Sequence, residues 1–239
     1  MAIPKARSCH RRSIDVSPAT RDNDVGRMPL EDGKMASHEQ QSHWQGVYTS
    51  KADTDVSWYE EKPDLSLALL REAGLSPNMS VIDIGGGASR LVDALLLLDQ
   101  AHVTVLDLSA AALETARKRL EDDAPVNWVV ADVTNWKPDR QYDFWHDRAA
   151  FHFLTSETDQ QAYVHALEDG LKSGGKAVIG TFALDGPEKC SGLPVARYDA
   201  ERLLATLGSH FRFVQSLRHE HVTPWGAVQN FQFTTVVKV

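Results

Sequence analysis

Val81-Ile82-Asp83-Ile84-Gly85-Gly86-Gly87-Ala88-Ser89 carries more information than any other stretch of the chain. An apolar run closes on an acid and passes straight into glycine. Such a run predicts a buried parallel strand that turns sharply into a helix. Glycine permits positive φ and lets the backbone approach a ligand closely. The helix start that follows offers unpaired N–H groups to a carboxylate or phosphate. The stretch therefore predicts a nucleotide-cofactor site at the carboxyl edge of a sheet. A dinucleotide fingerprint would read G-x-G-x-x-G. Gly85 and Gly87 fit it, but Arg90 stands at the sixth position and the acid Asp83 precedes the first glycine by two residues.

The pattern repeats downstream. His102-Val103-Thr104-Val105-Leu106-Asp107-Leu108-Ser109 reads as a second buried strand ending in an acid. Leu91, Ala94, Leu95 and Leu98 give the intervening crossover an apolar stripe at helical spacing. An acid ending the second strand can accept both hydroxyls of a ribose. Asp107 also suits the start of the next helix, for which Ser109 is a natural N-cap. Asn127 to Val133 forms a third such segment, closing on Asp132. Tyr142 to Arg148 reads as strand four, and Leu171 to Gly180 as a turn and strand five.

Asp83-x-Gly85-x-Gly87 resembles the first motif of the class I S-adenosylmethionine-dependent methyltransferases, with Ser89 where that family commonly has a third glycine. Leu171-Lys172-Ser173-Gly174-Gly175 resembles the family's L-K-P-G-G element, with Ser173 replacing proline. Five segments in the family's order span residues 80–182. The resemblance implies an α/β fold, a doubly wound, seven-stranded, mostly parallel Rossmann-like sheet with a C-terminal antiparallel strand. It implies S-adenosyl-L-methionine as cofactor, at the carboxyl edges of strands one to four. Asp83, Gly85, Gly86 and Gly87 would wrap the methionine part, and Asp107 with Leu108 would meet the ribose. Asp132 would meet the adenine amino group, and the N–H of Val133 the ring nitrogen.

Ahead of the sheet lies an aromatic arm. Trp44 and Tyr48 are spaced i, i+4 and share one helix face. The run W-x-x-x-Y followed by Ser57-Trp58-Tyr59-Glu60 and Pro63 resembles the arm of thiopurine methyltransferase-like enzymes, and also that of a set of protein lysine methyltransferases. In both groups the arm folds over the cofactor. Trp44, Tyr48 and Trp58 are thus expected at the cofactor; the plainer reading of Trp44 is a staple to the sheet. Aromatic walls suit a sulfonium cation. Asp147-Arg148-Ala149-Ala150, after strand four, resembles the thiopurine group's D-R-x-A rather than the lysine group's D-K-G-T.

This loop leaves the carboxyl end of a strand and borders the reactive crevice. Asp147 and His152 are the expected catalytic residues, with His146 a further acid–base candidate. Asp147 would bond the methionine amino group or orient the acceptor; otherwise it pairs with Arg148 or caps the following turn. His152 has apolar neighbours and suits a core position equally well. The loop Thr181 to Pro194, with Gly186-Pro187, Gly192 and Pro194, predicts no regular element. Phe211 to Val214 and Phe231 to Val239 alternate with period two and predict a terminal hairpin. His219 and His221, between them, read as strand-surface histidines. Their spacing with Cys190 demands no metal, and none is expected.

The 239 residues carry a net charge of −8, which disfavours nucleic acid as a partner. Two distant cysteines imply no disulfide framework and a reducing, cytoplasmic setting. No apolar run approaches the ~20 residues of a membrane span. Residues 1–34 are rich in Arg, Asp, Ser and Pro with little apolar periodicity, a composition that predicts a disordered extension. Residues 35–239 are expected to form one domain, with 35–79 as arm and lid and 80–239 as sheet core. The expected function is methyl transfer to a small soft nucleophile such as a thiol. A protein lysine acceptor, or a cofactor-binding module without catalysis, are the alternatives.

Overall fold

Strands buried on both faces and helices with one apolar stripe alternate along the chain, and the sheet follows from that alternation. The computed structural model describes residues 37–100, 102–120 and 124–239; the extension expected at 1–34 lies outside them. In chain order the arm helix α1 (Ser37–Ser50) is followed by α2 (Asp64–Glu72), β1 (Ser80–Ile84), α3 (Leu91–Leu96) and β2 (His102–Asp107). Then come α4 (Ala110–Leu120), β3 (Val126–Val130), β4 (Tyr142–Arg148), α5 (Glu157–Gly170) and β5 (Leu171–Phe182). A small ribbon, β6 (Lys189–Cys190) and β7 (Leu193–Pro194), precedes α6 (Ala200–Leu207), β8 (Phe211–Val222) and β9 (Val228–Lys238).

The sheet has seven strands in the order β3-β2-β1-β4-β5-β9-β8. β1 pairs in parallel with β2 and β4, β2 with β3, and β4 with β5. β9 runs antiparallel to both β5 and β8, so it alone is reversed. This is the doubly wound sheet expected from the sequence. Chain order reverses between β1 and β4, and the crevice there opens at the carboxyl ends.

Alternate residues of β1 serve opposite layers. Ile82 and Ile84 pack with α5 and α6 residues such as Tyr163, Leu167 and Leu203. Val81 packs with Leu69 and Leu70 of α2 and Leu91 and Leu95 of α3. Truncating one of these fully buried leucines to alanine would cost about 2–5 kcal/mol. Trp145 of β4 is fully buried and donates its indole N–H to Tyr163 Oη at 2.8 Å, which satisfies its polar edge.

Helix α6 starts at Ala200, capped by Asp199, whose side chain accepts from Arg202 N. Two local expectations are corrected. The crossover helix α3 is short, so Leu98 falls in the turn after it. The loop after β5 is not wholly irregular. Ser191 (φ 50°) and Gly192 (φ 81°) turn the chain tightly enough for Cys190 to pair with Leu193. Consecutive positive φ values are what a two-residue hairpin needs, so the glycine read as a breaker builds the ribbon.

Candidate functional site

The glycine loop threads between two acids. Gly85 (φ 65°) and Gly87 (φ 43°) are left-handed, and Gly85 N–H donates to Leu106 O at 2.7 Å. A Cβ at Gly86 would lie 2.6 Å from Asp83 Oδ2, and one at Gly87 would lie 2.8 Å from Asp107 Oδ2. Glycine is required here because the backbone passes against both carboxyl groups. Asp83 and Asp107 are both buried.

Each acid is held differently. Asp83 faces His146 in register across β1 and β4, and His146 Nδ1 lies 2.7 Å from Asp83 Oδ1. A carboxylate only accepts, so Nδ1 is the donor. His146 Nε2 lies 2.9 Å from Ser66 Oγ of α2. His146 therefore orients the acid of the glycine loop. Asp107 accepts from Ser109 N at 2.7 Å. Burial, with the charge of Asp83 adding to it, pushes its carboxyl up to about 7. Ser109 Oγ accepts from Ala112 N at 3.2 Å, the expected cap on α4.

The arm docks over this edge. Gln45 Oε1 of α1 accepts from Ser109 Oγ at 3.1 Å and Ala111 N at 3.2 Å, and Gln41 Nε2 donates to Leu108 O at 3.3 Å. Trp44 meets Phe153 and Trp58 edge-on, with ring centroids at 4.9 and 5.6 Å. Tyr48 Oη would be 3.4 Å from a Cβ on Gly87, which puts the ring against the glycine loop beside Asp107.

The segment after α1 is pinned from the far side of the sheet. Arg148 Nη1 donates to Trp58 O at 2.9 Å, and Arg148 Nη2 lies 2.9 Å from Glu60 Oε1. His221 Nε2 of β8 donates to Ser57 O at 2.7 Å, and its Nδ1 lies 3.5 Å from Glu60. Burial alone would raise Glu60, but His221 and Arg148 outweigh it and hold the carboxyl below its ordinary range. Between this lid and the glycine loop lies a cleft open to solvent. Tyr48, Trp58, Tyr59 and Glu60 line one wall, and Asp83, Gly85, Gly86 and Arg90 another.

The expected catalytic pair lies outside that lining. Asp147 is fully buried and accepts from Ala150 N, Phe151 N and Tyr163 Oη at 2.8–3.2 Å. Burial pushes its carboxyl up to about 6. It caps the turn after β4, where Ala149 takes a left-handed φ of 67°. His152 is fully buried against Phe153 and Phe182, and accepts from Phe182 N at 3.4 Å. Burial, with Arg148 adding to it, takes its pKa down to about 3, so it is neutral. Asp132 and Val133 lie just past β3, where Asp132 accepts from Thr134 N and Oγ1. His221 is not a surface histidine: at 4% exposure it is buried, because the lid docks on its strand face. Cys190 is buried too, and no group of three or more metal-ligating side chains forms among the described residues.

Reading the sequence missed Gln45, Glu60 and His221 as functional positions and took Arg148 only as a motif letter. For Gln45 a weak signal existed, since Gln41 and Gln45 share a helix face beside the aromatic one. His221 had none, being far from the lid in sequence.

Residues 81–175 match the family model described as a methyltransferase domain. Over those residues the chain is similar to a methyltransferase domain. That segment, β1 to the start of β5, is the part that holds the glycine loop, Asp107 and Asp147. The malonyl-[acyl-carrier protein] O-methyltransferase 1 of Ilyobacter polytropus is 29% identical over 110 residues, 46% of this chain and 40% of its own length. The ubiquinone/menaquinone biosynthesis C-methyltransferase UbiE of Shewanella sediminis is 31% identical over 120 residues, 48% of this chain and 47% of its own. The chain thus spans less than half the length of either relative. The 1,6-didemethyltoxoflavin-N1-methyltransferase of Burkholderia thailandensis, solved with its substrate and S-adenosylhomocysteine, superposes with a TM-score of 0.62. That match covers 88% of this chain and 94% of the other at 20% identity. At that identity the likeness shows the fold alone. No helix among the described residues is long and apolar enough to cross a membrane.

Proposed function

We propose that the chain binds S-adenosylmethionine and transfers its methyl group to a small-molecule acceptor, preferring a soft nucleophile such as a thiol. The observation that carries this reading is the glycine loop threaded between buried Asp83 and Asp107 beneath an aromatic arm. The residues fit the cofactor. Asp107 keeps a buried carboxyl with one backbone donor, and a ribose diol would supply more. Asp132 and Val133 follow β3 on the adenine side of such a site. Tyr48 and Trp58 offer aromatic walls for a sulfonium, which supplies an electrophilic methyl when the cofactor is bound.

The chain's own contribution is positioning and the exclusion of water. Leu108 holds the arm through its carbonyl, so cofactor edge and lid are one assembly. The acids of the cleft are already engaged: Glu60 by Arg148 and His221, Asp83 by His146. Asp147 and His152 serve as buried supports of the turn beside the cleft. An amine or hydroxyl acceptor needs a base, whereas a thiol with a pKa near ~8.5 needs little help. The D-R-x-A match to the thiopurine group supports the same choice.

A panel of small thiols, amines and lysate proteins, assayed with methyl-labelled cofactor across pH, tests the proposal. Thiol methylation should rise toward pH ~8.5 and level off. Labelling of one protein, with no thiol activity, would promote the lysine acceptor. Cofactor binding without any labelled product would favour the non-catalytic module.

A further inference from the structure

Arg119 belongs to the last turn of α4, where a basic side chain ordinarily faces solvent and the helix's free carbonyls. Its neighbour Lys118 does so, with 74% of the side chain exposed. Arg119 instead turns inward, at 18%. Its guanidinium forks onto Asp93 of α3, Nε donating to Oδ1 at 2.8 Å and Nη2 to Oδ2 at 2.7 Å. The same Nη2 donates to Ser89 O at 2.8 Å, and Nη1 donates to Ala88 O at 3.2 Å. Nη1 also lies 3.7 Å from Asp53 Oδ2, in the segment between α1 and α2. One side chain thus joins α3, the end of the glycine loop and the lid segment. Asp53, Ala88 and Ser89 line the cleft, whereas Arg119 stands outside its lining.

Three glycines in succession give residues 85–87 more backbone freedom than any other residues would, and holding a ligand removes that freedom. The loop is anchored at its start, where Gly85 N–H and Gly86 N–H both donate to Leu106 O, at 2.7 and 3.3 Å. Arg119 anchors its end. With both ends tied, the loop holds its shape before a ligand arrives, and less binding energy goes into ordering it. A lysine could not replace this anchor. Its donors radiate from one point, whereas the acceptors here lie on two separate elements and call for a planar fork.

We propose that Arg119 is a positioning residue for the cofactor: from behind the site it fixes the backbone of Ala88 and Ser89, and so keeps the glycine loop pre-shaped for the amino-acid end of S-adenosylmethionine. The inference rests on the cofactor reading above. It gives α4 two tasks at opposite ends. Its start lies beside the acid expected at the ribose, and its last turn holds the loop expected around the methionine part.

The test compares two ligands that differ at the end the loop would wrap. S-adenosylhomocysteine carries the amino-acid end, while 5′-methylthioadenosine keeps adenine, ribose and sulfur but ends in a methyl group. The full chain and its Arg119→Lys variant are titrated with each by calorimetry. Arg119→Lys should weaken S-adenosylhomocysteine by about 10-fold, the scale of one or two lost hydrogen bonds. It should leave 5′-methylthioadenosine nearly unchanged, because Asp107 is held by Ser109 N and not by Arg119. Turnover should show the matching split, with KM for S-adenosylmethionine raised by about 10-fold and kcat little altered. Asp93→Asn loosens the fork while leaving both loop carbonyls in place. It should repeat the pattern more weakly, and it decides the matter if the lysine variant does not fold. A merely structural role would weaken both ligands alike, and that result would overturn the proposal. So would variants that bind S-adenosylhomocysteine as the wild-type protein does. A wild-type protein that binds the two ligands equally gives the loop no share in affinity, and overturns it too. If the wild-type protein binds neither, the cofactor reading itself fails and the Arg119 assignment falls with it.

Discussion

The indole N–H of Trp58 donates to the hydroxyl of Tyr48 at 3.1 Å, joining the lid loop to the arm helix over the glycine loop. Tyr48 lies beside Asp107, and burial together with that carboxyl pushes its hydroxyl pKa upward. The phenol therefore stays protonated, accepting from Trp58 while keeping a proton to donate.

Tyr48→Phe and Trp58→Phe each keep a ring and remove one partner of this bond. Each should lower turnover by about 3- to 10-fold, the worth of one hydrogen bond at closure, with less effect on the affinity for S-adenosylhomocysteine. The double variant should be no slower than the worse single variant, since both lose the same bond. Additive losses in a double-mutant cycle would show that the two groups act separately.

Asp107 predicts a proton-linked affinity. Its carboxyl is raised to about 7 by burial, and ribose hydroxyls would favour the charged form. Affinity for S-adenosylhomocysteine should therefore rise with pH and level off above about 7, with proton release visible as a buffer-dependent binding enthalpy. The raised pKa also means that its contribution to the ligand-free fold is present below pH ~4 and lost as pH rises through about 7. Asp107→Ala should weaken binding by about 1.5–3 kcal/mol and flatten the pH dependence.

Arg148 and Glu60 form a largely buried pair that holds the lid. Arg148→Met would strand the Glu60 carboxylate and should destabilise by about 3 kcal/mol. Adding Glu60→Gln should recover part of the loss in melting temperature. Because Glu60 is held below its ordinary range, its share of stability is present above pH ~4.5 and disappears as pH falls through its lower folded value. Lid opening in mild acid, read by Trp58 fluorescence, should shift toward neutral pH in His221→Gln.

Gly87→Ala places a methyl 2.8 Å from Asp107 Oδ2 on a backbone with φ of 43°. It should abolish cofactor affinity while costing about 1–2 kcal/mol of stability. Ala149→Gly, at a φ of 67°, should by the same reasoning be neutral or stabilising by about 1 kcal/mol. Thermal melts of the two variants compare the signs directly.

The sheet was legible because its strands are apolar on both faces and end on acids, a local signal that survives without any knowledge of contacts. Ser109 was legible as a cap for the same reason: the bond it makes is to its own helix. The lid's latch was not, since Ser57 and His221 are 164 positions apart and meet only when β8 joins the sheet. Asp147 and His152 were read as catalytic from their place after strand four. Their burial could not be read from the order of residues: both side chains meet backbone N–H groups inside the fold.

By itself the amino-acid order determined the strand sequence, the glycine loop and the acids that close β1 and β2, because backbone conformation and burial period are set by near neighbours. Only the tertiary structure decided what those groups face. It set His146 against Asp83, Gln45 on the start of α4, and Arg148 and His221 on the lid. It also left Arg90 with a buried donor and no acceptor. Hydrogen-bond satisfaction is a property of packed surfaces, and no local pattern encodes which distant partner supplies it.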